Sequence, residues 1–169
     1  CIAFPTGICL NNIAAHYTPR YNEKTVIGID DVCKIDFGTH VERHIIDSAF
    51  TINFSQKYID LLMASKEAVN QVIRNIGVDM KFKELSAISQ EIVESYEVEI
   101  DNKIVPLKPI DNLSGHSILP WKIHGDKRFF SKVNENDNQI VEDGDVLAIE
   151  IFVSTGSGTT ILSRNLKNY

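Results

Sequence analysis

The stretch "CKIDFGTHVERHIIDSAF", residues 33–50, places an aspartate inside each of two apolar, strand-like runs. A carboxylate in a half-buried strand must be solvated or paired, because an isolated buried charge is very costly. Residues 31–37, "DVCKIDF", and 45–54, "IIDSAFTINF", are short and rich in β-branched and aromatic residues, which predicts two strands. In the second, Ile46, Ser48, Phe50, Ile52 and Phe54 alternate with Asp47, Ala49, Thr51 and Asn53. A hairpin centred near Val41 and Glu42 sets Asp36 and Asp47 directly opposite each other, with Cβ atoms about 4.5–5.5 Å apart. Like charges so placed repel. Two resolutions stay open. Either both side chains point to solvent or the register differs, since "HVERH" holds no glycine or asparagine to define a tight turn; or a cation sits between the carboxylates.

Elsewhere the pattern alternates between helix and strand. Residues 57–76 predict a helix with Ile59, Leu62, Met63, Val69, Val72, Ile73 and Ile76 on its apolar face and Gly77 as its stop. A second helix is expected over about 80–96, facing inward through Leu85, Ile88, Ile92, Val93 and Tyr96. "EVEIDNKIVPLK" predicts a hairpin about Asp101-Asn102, and "GHSILPWKIHG" and "DVLAIEIFVSTG" predict two further strands, the latter after an Asp143-Gly144 turn. "STGSGTT" lacks the lysine of a phosphate loop and reads as a flexible loop.

The totals limit the function. At 169 residues, 43% hydrophobic and 24% charged, the chain is expected to form one globular domain over 1–169. A net charge of −6 argues against binding DNA through its phosphates. No run of about 18 apolar residues is present to span a membrane. "CIAFPTGICLNN" has no basic leader and carries Pro5 and Gly7, unlike a signal peptide; the leading cysteine suggests part of a longer chain. Cys1, Cys9 and Cys33 are an odd number without metal-finger spacing, which reads as reduced thiols in a cytoplasmic protein.

A cation between the aspartates needs more ligands. His116 follows a glycine in "NLSGHSI", and Glu150 sits among apolar residues in "VLAIEIF". Either alone is commonly a satisfied structural residue. Together, Asp36, Asp47, His116 and Glu150 are an oxygen-rich set with one imidazole and no thiolate, suited to Mn, Fe, Co or Zn.

"AFPTGICLNNIAAHYTP", "VCKIDFGTHVERHIIDSAFTINF", "QEIVESYEVEID", "LSGHSI", "KIH" and "AIEIFVSTG" resemble, in order and spacing, the type 2 methionine aminopeptidases of the pita-bread metallopeptidase family. The resemblance runs through essentially the whole chain. It implies an α+β pita-bread fold, incomplete here, with an antiparallel sheet and helices packed on one side. It implies Asp36, Asp47, His116 and Glu150 as metal ligands, with His116 and Glu150 on one ion, Asp36 on a second and Asp47 bridging. The complete site holds two divalent ions. His16 and His124 would contact substrate near the cleaved bond, Glu150 would take a proton from the attacking water, and Phe4 and Ile123 would line the methionine pocket. The implied reaction is removal of the N-terminal methionine from nascent polypeptides, at the ribosome in the cytoplasm. His40 and His44, beside the hairpin turn, are expected to be solvent-exposed and without a role.

Two departures qualify it. The family's fifth ligand, a glutamate near its C-terminus, lies past Tyr169, and a further pocket histidine expected near "SRNLKNY" falls at Arg164. A partial catalytic domain, with one tight metal at most and low activity, is therefore expected. Relatives that have lost ligands and serve as protein- or RNA-binding modules, and aminopeptidase P and prolidase, which cleave before proline, are the alternatives.

Overall fold

The computed structural model describes residues 1–163. Arg164 and the expectation attached to it lie outside them. Three nine-residue strands, β1 (Ile2–Leu10), β2 (Cys33–Val41) and β3 (His44–Ile52), form an antiparallel sheet in that order. No sequence pattern marks β1, because Pro5 and Gly7 interrupt its alternation. The structure absorbs them in two register shifts, between Ile2 and Phe4 and between Phe4 and Gly7.

The β2–β3 register corrects the direct opposition of the aspartates. The turn is Glu42-Arg43, with Val41 paired to His44, so Asp36 lies opposite Ala49 and Asp47 opposite Gly38. Glu42 supplies the positive φ of 53° that this tight turn uses, without glycine or asparagine. The two aspartates remain on one face as diagonal neighbours, a relation of about 7–8 Å between backbones.

Helix α1 (Ile59–Asn75) buries Ala64, Ala68 and Val72, while Ile59, Met63 and Ile73 of the expected apolar face are exposed. Small residues four apart let α1 approach α2 (Phe82–Glu94) closely, and that contact sets the buried stripe. Gly77 follows the end of α1 but has no left-handed backbone; the chain leaves through an extended Ile76. In α2, Phe82, Leu85 and Val93 are buried, and Glu84 accepts a 3.1 Å hydrogen bond from the Lys81 N–H at the helix start. Strands β4 (Glu97–Ile100) and β5 (Lys103–Pro106) form the expected hairpin, with Asp101 and Asn102 at φ 51° and 61°.

The remaining strands are short. They are β6 (Lys108–Pro109), β7 (Ser114–Ser117), β8 (Arg128–Phe130), β9 (Leu147–Ala148) and β10 (Val153–Ser154). β7 lies between β8 and β9, and β10 pairs with β6. The strand expected over "GHSILPWKIHG" thus ends at Ser117. The one expected over "DVLAIEIFVSTG" is broken, because Phe152 donates its N–H to Ser131 Oγ and its carbonyl accepts from Ile110. The "STGSGTT" loop is tied down rather than free: Thr159 bonds Asp111, and Thr160 bonds Asn112 through both its N–H and its hydroxyl.

The main core joins α1 and α2 to the short strands through Val72, Phe82, Leu85, Val93, Leu107 and Phe129. A smaller cluster of Ile45, Ile118 and Ala148, with Ala3 and Ile123 against it, joins the β1–β3 sheet to this half. No helix among the described residues is long and apolar enough to cross a membrane.

Candidate metal centre

Where the two halves meet, β3 brings Asp47, β7 brings His116, and the segment after β9 brings Glu150. One donor atom from each lies within 4.8 Å of the others. His116 Nε2 is 3.0 Å from Glu150 Oε1 and 3.5 Å from Asp47 Oδ2. The approach depends on Gly115. A Cβ there would lie 2.3 Å from the Ala148 carbonyl oxygen and 2.9 Å from the Glu150 nitrogen. Only glycine lets β7 run this close to the backbone that carries Glu150.

His116 is buried, and its Nδ1 lies 3.1 Å from the Ser117 carbonyl, which can only accept. Nδ1 therefore carries the proton, and in the neutral ring the Nε2 lone pair faces two carboxylate oxygens. Three electron-rich atoms converge on one point, and a cation there offsets their repulsion. Without a metal, a proton does so. Burial disfavours the imidazolium, but hydrogen bonds to Asp47, Glu150 and Ser117 outweigh it and push the His116 pKa up to about 10. Asp36 Oδ1 and Glu150 Oε1 are buried without a well-directed hydrogen bond. Burial first, then repulsion from Asp47 and Glu150, raises the Asp36 carboxyl to about 6. Orphaned carboxylate oxygens beside an imidazole nitrogen are what a hard or borderline divalent cation would satisfy. Asp36 stands outside the three-residue cluster and joins it through charge.

The structure also gathers the expected substrate residues here. The His124 ring lies 4.4 Å from that of His116, edge-on, and 6.5 Å from that of His16. Burial and then the neighbouring His116 and His16 hold His124 below its ordinary value, favouring the neutral ring. His16 has a φ of 63° and follows β1 closely: the next residue, Tyr17, accepts the Ile8 N–H at 2.8 Å and donates its own to Cys9 Sγ. Phe4 lies across Gly38, where a Cβ would stand 2.2 Å from its ring, on the face that carries Asp36 and Asp47. Ile123 packs on the Ile45 cluster beside it.

His44 is exposed as expected, but His40 is not. Its half-buried ring meets Trp121 edge-on at 5.4 Å. One sequence signal points to this, a proline followed by a lone aromatic at "LPWK", inside the segment expected to be strand.

A profile of metallopeptidase family M24 matches residues 1–162. A methionine aminopeptidase 2-2 of Chaetomium globosum is 48% identical over 168 residues, covering 99% of this chain and 38% of that protein. Among solved structures, methionine aminopeptidase from Thermotoga maritima superposes with a TM-score of 0.79 at 21% identity, covering 95% of this chain and 61% of that one. Prolidase from Thermococcus sibiricus does so at 0.66 and 17%, covering 88% and 37%. These two likenesses establish the fold alone. The chain spans about a third of the length of the curated relatives it matches. It belongs to metallopeptidase family M24, as a partial pita-bread domain homologous to methionine aminopeptidase 2.

Proposed function

We propose that this chain carries the metal-binding part of a methionyl aminopeptidase that removes the N-terminal methionine from nascent polypeptides in the cytoplasm, at the ribosome. The observation that carries the reading is the convergence of Asp47, His116 and Glu150 donor atoms within 4.8 Å, with the His116 tautomer fixed by Ser117. Asp47, His116 and Glu150 would hold one divalent ion of the Mn, Co, Fe or Zn group, and Asp36 with Asp47 would hold a second. When bound, such ions acidify water at neutral pH and polarise a carbonyl.

This chain's own residues do the rest. Phe4 and Ile123 receive the apolar methionine side chain. Glu150 accepts the proton of the attacking water. His124, favoured as the neutral ring, donates a hydrogen bond to charge growing on the substrate oxygen, and His16 contacts the substrate from the other side. The chain spans about a third of the length of its curated relatives, and this stretch alone is expected to turn over far below a complete domain.

The test compares release of methionine from Met-Ala-Ser with hydrolysis of Gly-Pro and Xaa-Pro peptides, with Mn or Co present, in this chain and in a full-length context. Methionine release, lowered by His16→Ala at unchanged metal content, supports the reading. Cleavage before proline alone, or metal binding with neither activity in the full-length protein, overturns it.

A further inference from the structure

Trp121 is the chain's sole tryptophan, yet it is 68% exposed and stands at φ 62°. It follows Pro120 in a two-residue turn closed by reciprocal hydrogen bonds between Leu119 and Lys122, of 2.9 and 3.0 Å. A proline then a positive φ is the type II arrangement, whose second position favours glycine. A large aromatic held there, with most of its surface open to solvent, is strained backbone.

Its surroundings indicate what it serves. The Trp121 N–H donates to the Arg43 carbonyl at 3.1 Å, docking the turn on the β2–β3 hairpin, and its ring meets His40 edge-on. His40 shares the β2 face with Asp36 and Gly38, and Gly38 is the residue opposite Asp47. His40 lies two residues on from Gly38, about 6.8 Å along the strand. Below the pair, Ile45 opposite His40 is buried against Ile118 and Ile123. At its other end, the same segment carries His124 to His116. The aromatic pair is thus continuous with the metal centre on one face, one dipeptide's length away.

Resting on the aminopeptidase reading above, we propose that Trp121 and His40 form an aromatic subsite for the side chain of the substrate's third residue, favouring an aromatic one. An extended peptide with its first carbonyl at the carboxylate cluster advances about 6.8 Å over the next two residues, which brings that side chain to the pair. Edge-to-face contact on Trp121 then distinguishes an aromatic third residue from glycine.

The experiment titrates the chain, with manganese present, with Met-Ala, Met-Ala-Gly and Met-Ala-Phe, by calorimetry and by Trp121 emission. Met-Ala-Phe is expected to bind about three- to tenfold tighter than Met-Ala-Gly and alone to shift the emission. Trp121→Gly removes the ring and relieves the backbone, so its folding is not at risk, and it should bring the ratio of the two dissociation constants to about one. His40→Ala should lower that ratio. Equal constants in the native chain, or a ratio that survives Trp121→Gly, overturn the subsite while leaving the aminopeptidase reading intact. Failure of Met-Ala itself to bind overturns both.

Discussion

The two sheets that supply the candidate metal centre are built on opposite principles. The β1–β3 sheet has long strands and a regular ladder, but neither helix packs substantially on it. Ile46, Phe37 and Phe50 of its outer side remain exposed, the two phenylalanine rings meeting edge-on at 6.4 Å. The other half has strands of two to four residues, and α1 and α2 cover them with a core in which Phe82, Leu85 and Phe129 are almost wholly buried. Backbone pairing organises the first, and side-chain burial organises the second. The lesson concerns the site. Asp47 comes from the ladder and His116 with Glu150 from the core half, so a cation held by all three would fasten together regions otherwise joined by the small Ile45 cluster and the Trp121 contacts with Arg43 and His40.

Phe129→Ala strikes the core half and should have the largest effect on stability, about 3–5 kcal/mol by chemical denaturation. A loss below about 1 kcal/mol would mean that burial does not organise that half. Gly115→Ala should come next. Its methyl meets the Ala148 carbonyl, so the two backbones must part. The expected result is a loss of about 1–3 kcal/mol, together with metal affinity weakened at least tenfold by isothermal titration. Unchanged affinity would show that the close passage of β7 does not set the ligand geometry.

Acidity sharpens the comparison across the seam. With metal chelated, the folded chain holds a proton on His116 up to about pH 10, where the unfolded chain releases it near its ordinary 6.5. That contribution is fully present below about pH 6.5 and lost as the pH rises toward 10. Asp36, held up to about 6 against an ordinary 3.8, acts in the same direction lower down, so stability falls as the pH rises from about 4 to 6. Urea midpoints of the chelated native chain should therefore decline relative to Asp36→Asn between pH 4 and 6. A parallel pair of curves would remove Asp36 from the charged cluster. The smallest effect is expected at Phe50→Ala on the open sheet, about 1 kcal/mol or less, because half of that ring is exposed already. A loss near that of Phe129→Ala would mean that something covers this face in solution.

How much could be read from the residues follows the same division. Both helices and the Asp101-Asn102 turn were legible, because periodicity and turn chemistry are local. The β2–β3 register came out one residue from its true centre, since Glu42 takes a positive φ that its side chain does not advertise. β1 was hidden by Pro5 and Gly7, whose places only the register shifts explain. At the site, the types of residue were legible: carboxylates among apolar neighbours, and a histidine behind a glycine. The role of Gly115 was not, because the Ala148 carbonyl it admits is distant in sequence. His40 escaped for the same reason, its partner Trp121 lying on another segment.

The most direct test of the clasp is metal content. The purified chain is saturated with Mn or Co, dialysed and analysed, alongside His116→Ala, with hydrogen exchange followed in β2 and β3. One retained ion per chain is expected, lost in His116→Ala, with exchange in β2 and β3 slowed by the ion in the native chain alone. Retention by His116→Ala, or exchange in β2 and β3 indifferent to the metal, would contradict a cation shared by Asp47, His116 and Glu150.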